Sequence, residues 1–267
     1  MSVAWASAIV IGVTAAAIAA MLLVRRRAPE GSYFEDGDRA AGVFGVLATG
    51  FAVLAGFVVF LAFESYDTSR SGAEAEARVV AQQFETVQFL PSPARERVSG
   101  ELVCYARSVV HLEWPRMESG TLDDSLNPWG VAVFRSLRGT EPRSASEQAA
   151  FSKYLDQRSD RTHGGEGVIP SPLWIVLFLS AAILFLFMLF FADIGERAFV
   201  QATMMGGVAV LVSSLLLLLW FLDNPFHGGV GSLKPVAMER TLDLLKQEAS
   251  LAGGVAPPCD EAGSPRA

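Results

Sequence analysis

The sequence predicts an all-α polytopic membrane protein, with four transmembrane helices in two hairpins and a helical insert between spans 2 and 3. Three observations predict it. Four apolar runs, at 3–24, 40–63, 173–191 and 199–222, each approach the ~20 residues a helix needs to cross a ~30 Å hydrocarbon core. None carries an Asp, Glu, Lys or Arg in its interior. The polar stretch between the two pairs repeats its apolar residues at helical spacing, and the alternation of barrel strands is absent.

The spans divide the 267 residues into a first transmembrane hairpin (1–63), an extramembrane helical domain (64–170), a second hairpin (171–222) and a C-terminal segment (223–267). The net charge of -7 is dispersed, and acidic residues outnumber basic ones between 64 and 170. That balance excludes a nucleic-acid partner and leaves the lipid bilayer as the first one. Arg25, Arg26 and Arg27 follow the first apolar run where a signal peptide would have its basic residues ahead, so the run reads as a retained helix.

In the first span Ala4, Ala8, Gly12, Ala16 and Ala20 recur every fourth position and line one face. The second span has Ala48, Ala52 and Gly56, with Gly42 and Gly45 near its start, so these faces are expected to pack the two helices closely. The second run continues without a breaker through Glu64, Tyr66 and Arg70 into a stripe of Ala77, Val80, Phe84 and Val87, with Gly72 as the one weak point. Leu90 and Pro91 end that helix. Ser92 and Pro93 are expected to open the next, whose buried side is Val98, Leu102, Tyr105, Val109 and Leu112. Glu113, Trp114 and Pro115 mark its end, and a shorter helix is expected from Trp129 to Leu137. Ser144 and Glu147 form a capping-box pair for a fourth, which buries Phe151, Tyr154 and Leu155. The glycines from 164 to 167 form a hinge, since no lysine or strand accompanies them as a phosphate-binding loop requires. After the second hairpin, residues 223–229 turn out of the membrane. An amphipathic helix with Met238, Leu242 and Leu245 on one face then leads to a tail, from Gly253, expected to be disordered.

No catalytic pattern is present: HExxH, CxxC, GxSxG and the P-loop are all missing, so neither an enzyme nor a bound cofactor is expected. His111 and Glu113 lie two apart and read as surface polar groups, and Asp123 and Asp124 lack calcium-loop spacing. Without ionisable residues in the spans, a pump or coupled transporter is excluded. Phenylalanines at Phe44, Phe51, Phe57, Phe60 and Phe63 offer an apolar constriction if several second helices surround one axis; otherwise they face lipid or pack between helices. Four helices do not surround a pore, so that reading requires a homo-oligomer. Cys104 and Cys259 fall on one side of the membrane, where they form one bridge or remain two thiols, with two thiols the expectation.

Several short motifs keep a fixed order between the spans: Tyr66 and Arg70, the Leu90-Pro91 turn, Tyr105, Glu113-Trp114 with Met117, the stretch from Pro170 to Trp174, and Asp223, Pro225, Phe226 and Gly228 in the turn after the fourth span. Together they resemble the bacterial bestrophin-like domain family of membrane proteins, over about residues 22–245. Bestrophins proper are pentameric, largely anion-selective channels lined by the second span, so the resemblance implies an oligomeric passive ion pathway. It implies cytoplasmic termini and insert as well, whereas Arg25 to Arg27 draw the first loop inside and set both termini and the insert outside a plasma membrane. The alternative function is a membrane-anchored interaction or sensing protein that presents the Glu113-Trp114 corner to a protein partner the sequence does not identify.

Overall fold

A computed structural model describes residues 3–121, 127–138, 153, 157–162, 167–229, 231–251 and 256–266. Its helices are α1 (Val3–Arg25), α2 (Gly37–Val87), α3 (Ala94–Ser108), a π-turn (Val109–Glu113), α4 (Trp114–Glu118), α5 (Pro128–Arg138), α6 (Ser171–Phe190), α7 (Ala198–Asp223) and α8 (Val236–Leu251). Residues 157–162 are helical as well. The expected fourth helix of the insert, Gly164 and Gly165 of the hinge, and Asp123 and Asp124 lie outside the described residues.

Four helices, α1, α2, α6 and α7, are long and apolar enough to cross a membrane. At most 33% of the most apolar window of any of them is buried, so most of that apolar surface is left for lipid or for another chain. The protein is an integral membrane protein of all-helical architecture. It forms two compact units: residues 1–64, 167–223 and 229–231 in one, and residues 65–166, 224–228 and 232–267 in the other. α2 is one unbroken helix that contributes to both.

In the membrane unit α1 lies along α7, where Gly206 permits the approach: a Cβ there would stand 3.2 Å from Cδ1 of Ile18. The buried face of α2 is Phe51, Ala55, Val58 and Ala62, spaced as one helix stripe, and it packs with Leu177, Ala181 and Leu184 of α6 and Val212 and Leu219 of α7. The small-residue seam expected between the first two spans is therefore not the one that forms. Ala8, Gly12, Ala16, Ala52 and Gly56 are exposed, Ala20 and Ala48 are half-buried, and a Cβ on Gly12, Gly42, Gly45 or Gly56 would meet nothing within 4 Å. The reason is rotational. α1 turns Ala17 and Met21 inward and α2 turns Ala55 and Ala62 inward, which leaves the repeats outside. One end of the unit is tied by Arg25, which donates to the carbonyls of Ile194 and Glu196 at 3.0 and 2.5 Å.

The second unit packs the C-terminal half of α2 against α3, the π-turn, α5 and α8 around Phe84, Val98, Leu102, Tyr105, Val109, Met238, Leu242 and Leu245. α3 starts at Ala94 with Pro93 as its N-cap, one residue later than expected. The Ser92 hydroxyl bonds Oε1 of Glu96 at 2.6 Å and caps no backbone amide. The expected disorder of the tail is also corrected for residues 256–266. Cys259 forms a disulfide with Cys104 of α3, in place of the two thiols expected. Arg107 donates to the carbonyl of Asp260 at 2.9 Å and the Trp129 indole to that of Gly263 at 2.6 Å. A covalent tie and two hydrogen bonds supply the order that the tail's composition does not.

Candidate functional site

Sequence periodicity sets Ala73, Ala77, Val80, Phe84 and Val87 on the core side of α2, and that same face carries Glu76. Glu76 has no exposed surface, and neither has Arg161, its partner from the turn at 157–162. Arg161 Nε donates to Oε2 of Glu76 and Nη2 to Oε1 at 3.3 Å. The Tyr105 hydroxyl donates to the same Oε1. Two charges removed from water this completely are tolerated only when their hydrogen-bonding capacity is met, and here it is met at both oxygens.

The second carboxylate is Glu113. An α-helix continued from Tyr105 and Val109 would bring residue 112 inward, but the π-turn inserts one extra residue and rotates the chain beyond it. Leu112 is consequently only half-buried, and Trp114 and Met117 take the core positions. Glu113 Oε2 accepts from Arg161 Nη2 at 2.5 Å; its Oε1 accepts from Asn127 at 2.8 Å and Arg158 at 3.3 Å. Burial alone would raise the Glu113 carboxyl, but Arg161 and Arg158 outweigh it and hold the group below its ordinary range. Burial works against the Arg161 charge too, and Glu76 and Glu113 overcome it, so the guanidinium is held more firmly protonated than usual. Its centre lies 5.7 Å from the Trp114 ring centroid.

Trp114 donates its indole N–H to the carbonyl of Leu233 at 3.2 Å and meets Phe226 edge-on, ring centroids 5.6 Å apart. The corner expected to be shown to a partner is thus packed inside: Trp114 is 2% exposed. Tyr105, Glu113, Trp114 and Phe226 come together around Arg161. The Pro225 carbonyl accepts from the Leu233 amide at 2.8 Å, and Gly228 turns the chain at a φ of 67°. Tyr66 and Arg70 lie apart from this cluster on another face of α2, with Arg70 3.4 Å from Glu74. Asp223 belongs to the membrane unit. Its Oδ1 accepts the amides of Val168 and Ile169 at 2.7 and 2.8 Å, and its Oδ2 accepts the Trp174 indole at 3.2 Å.

Chemically, the Arg161 cluster locks charge in place. Both carboxylates are engaged by cations, and the guanidinium does not deprotonate. His111 is exposed, and among the described residues no group of three His, Cys, Asp or Glu is arranged to hold a metal.

The pore candidates separate into two sets. Phe44 is half-buried against Phe187 and Phe191, with ring centroids 6.1 and 6.0 Å away, and Phe51 is 7% exposed in the helix core. Phe57 and Phe60 are each 62% exposed, and with Val46 and Val53 they form one outward stripe on α2, at spacings of seven, four and three. Sequence reasoning missed Glu76 and Arg161. A charge set in the apolar stripe of α2 was the available signal for Glu76; Arg161 carries no local signal.

A family model of the bestrophin-like domain matches residues 11–236. Among solved structures, a mutant of a bacterial bestrophin homologue from Klebsiella pneumoniae superposes with a TM-score of 0.66, at 13% identity, over 91% of this chain and 99% of that one. A second mutant from the same organism gives 0.65 at 13%, over 93% and 99%. A crystal structure described only as a membrane protein gives 0.68 at 12%, over 92% and 100%. At these identities the likeness is one of fold. No curated protein sequence matches the chain.

Proposed function

The chain belongs to the bestrophin-like domain family, and from that premise we propose that it assembles as a homo-oligomer whose α2 helices surround a passive ion pathway, for anions in the first place. One observation carries the reading. Among the described residues the stripe of Val46, Val53, Phe57 and Phe60 is largely exposed and joins no buried cluster, although it lies on a helix whose opposite face is closely packed. Several such stripes around one axis make an apolar constriction that opens and closes by wetting. The exposed small residues Ala8, Gly12 and Ala16 on α1 are suited to the close helix approach that assembly between copies needs. The mass of the protein in lipid nanodiscs tests the assembly, and anion flux from proteoliposomes tests the pathway. A ring of about five chains with a salt-dependent flux that changes in Phe57→Ala and Phe60→Ala supports the reading. A monomer, or an oligomer whose flux ignores both substitutions, overturns it.

Against the cytoplasmic insert that the family resemblance implies, we propose that the second unit and both termini lie outside a plasma membrane. Arg25, Arg26 and Arg27 favour retention of the first loop inside, and the Cys104–Cys259 disulfide, wholly within the second unit, suits an oxidising compartment. Reduction of this bond in intact cells by a membrane-impermeant phosphine, followed by labelling with an impermeant maleimide, is the expected result. Labelling only after the membrane is opened would reverse the orientation.

A further inference from the structure

The helical unit contains a cavity of about 690 Å³ between the C-terminal half of α2 and the start of α8, remote in composition from the Arg161 cluster. Arg70, Arg78, Lys234 and Arg240 line it, against a single carboxylate, Glu74. That local excess of positive charge stands out in a chain whose net charge is -7. Glu74 orders the two α2 arginines. Its Oε1 lies 3.4 Å from Arg70 Nε, and its backbone carbonyl accepts Arg78 Nε at 3.3 Å. Among the described residues Lys234 and Arg240, both solvent-exposed, have no ion-pair partner, so two cations on the cavity wall are open to a ligand. The walls are held in place, since the Thr241 hydroxyl donates to the Ala77 carbonyl at 3.3 Å and joins α8 to α2.

We propose that this cavity is a binding site for a phosphate-bearing organic anion, whose charge Arg70, Arg78, Lys234 and Arg240 hold. Its volume is of the size that receives an organic ligand and far exceeds what a bare halide or phosphate fills. Tyr66, Ala73, Ala77, Val236 and Ala237 give it an apolar side, which suits a ligand with a carbon skeleton beside its phosphate. The phosphate has two sources, a free metabolite or a lipid headgroup. Position favours the headgroup: Arg70 follows the last residue of the apolar run, Phe63, by seven positions, or about 10 Å along a continuous helix. Clusters of Lys and Arg that closely follow a membrane span in the chain attract anionic lipid headgroups. The inference is independent of ion conduction, because occupancy is read without any flux.

Native mass spectrometry of the full chain in detergent tests it, with titrations of phosphatidylglycerol, phosphatidylcholine and glycerol phosphate. Phosphatidylglycerol is expected to bind at least tenfold more tightly than phosphatidylcholine. The K234Q/R240Q variant, which removes the two unpaired cations, is expected to lose about tenfold or more of that affinity. A control, R116Q/R266Q, changes two exposed arginines elsewhere and is expected to keep it. Glycerol phosphate bound at the expense of the lipid, and lost in K234Q/R240Q, supports the same site with a soluble ligand. Equal retention of both lipids, or full affinity in K234Q/R240Q, overturns the proposal.

Discussion

Gly72 and Arg161 touch. A Cβ built on Gly72 would stand 2.6 Å from the backbone nitrogen of Arg161 and 2.7 Å from Cβ of Asp160. A glycine in the middle of a 51-residue helix ordinarily costs helix stability, by about 1 kcal/mol relative to alanine. Here it admits the turn at 157–162 against α2 and so delivers the guanidinium to Glu76. Gly72→Ala improves the helix locally yet displaces backbone that has no rotamer to give. The expected result is a net loss of roughly 2–4 kcal/mol, read as a lower unfolding midpoint of the solubilised protein, with helicity unchanged. An alanine variant as stable as the parent would show that the contact relaxes freely.

Arg161 is fully buried between two carboxylates, so the two ways of removing its ion pair should differ. Arg161→Met leaves Glu76 buried without its cation and Glu113 with Arg158 alone, and breaking such a buried pair costs about 3–5 kcal/mol. The double variant R161M/E76L removes the uncompensated charge along with its partner and is expected to recover part of that loss. A double-mutant cycle by chemical unfolding measures it. Purely additive losses would mean that the two side chains do not act as a pair.

The Glu113 carboxyl is held below its ordinary range by Arg161 and Arg158, and that sets a direction of pH dependence. The unfolded chain binds this proton more readily than the folded one, so stability rises with pH across the window. The contribution is complete above about pH 4.3, the ordinary glutamate value, and is lost as the pH falls through the lower folded value. Unfolding midpoints taken from pH 6 downward are expected to fall more steeply in the parent than in Glu113→Gln. Parallel curves would assign the acid sensitivity to other groups.

The spans were legible as long apolar runs, and the extramembrane stripes by their helical period. Four apolar runs set four helices, and Met238, Leu242 and Leu245 marked the buried face of α8 by spacing alone. Which face of each span packs inward was not legible. A helix that is apolar all round gives no contrast between lipid and protein, so the small-residue repeats of α1 pointed to the wrong seam. The inward position of Glu113 and Trp114 was hidden by a π-turn, which shifts the register by one residue and leaves no compositional mark. Arg161 meets Glu76 across 85 positions, beyond the reach of any local pattern.

The tail shows a related failure of composition as a guide, and it yields the last prediction. Gly263, at a φ of 91°, lies so close to α3 that a Cβ would meet the Ser108 nitrogen at 2.4 Å, and its carbonyl accepts the Trp129 indole. The disulfide alone joins residues 155 positions apart, a separation for which loss of the cross-link costs about 3–5 kcal/mol. Cys259→Ser is therefore expected to lower the unfolding midpoint and to expose the segment after residue 255 to limited proteolysis, since two hydrogen bonds do not balance the entropy of ordering it. Gly263→Ala separates the two contributions. It keeps the covalent tie but is expected to withdraw the carbonyl from Trp129, which changes the tryptophan emission and leaves most of the protease resistance in place. A tail that stays protected in Cys259→Ser would mean that the hydrogen bonds of Trp129 and Arg107 hold it unaided, and that the bridge acts only on the unfolded chain.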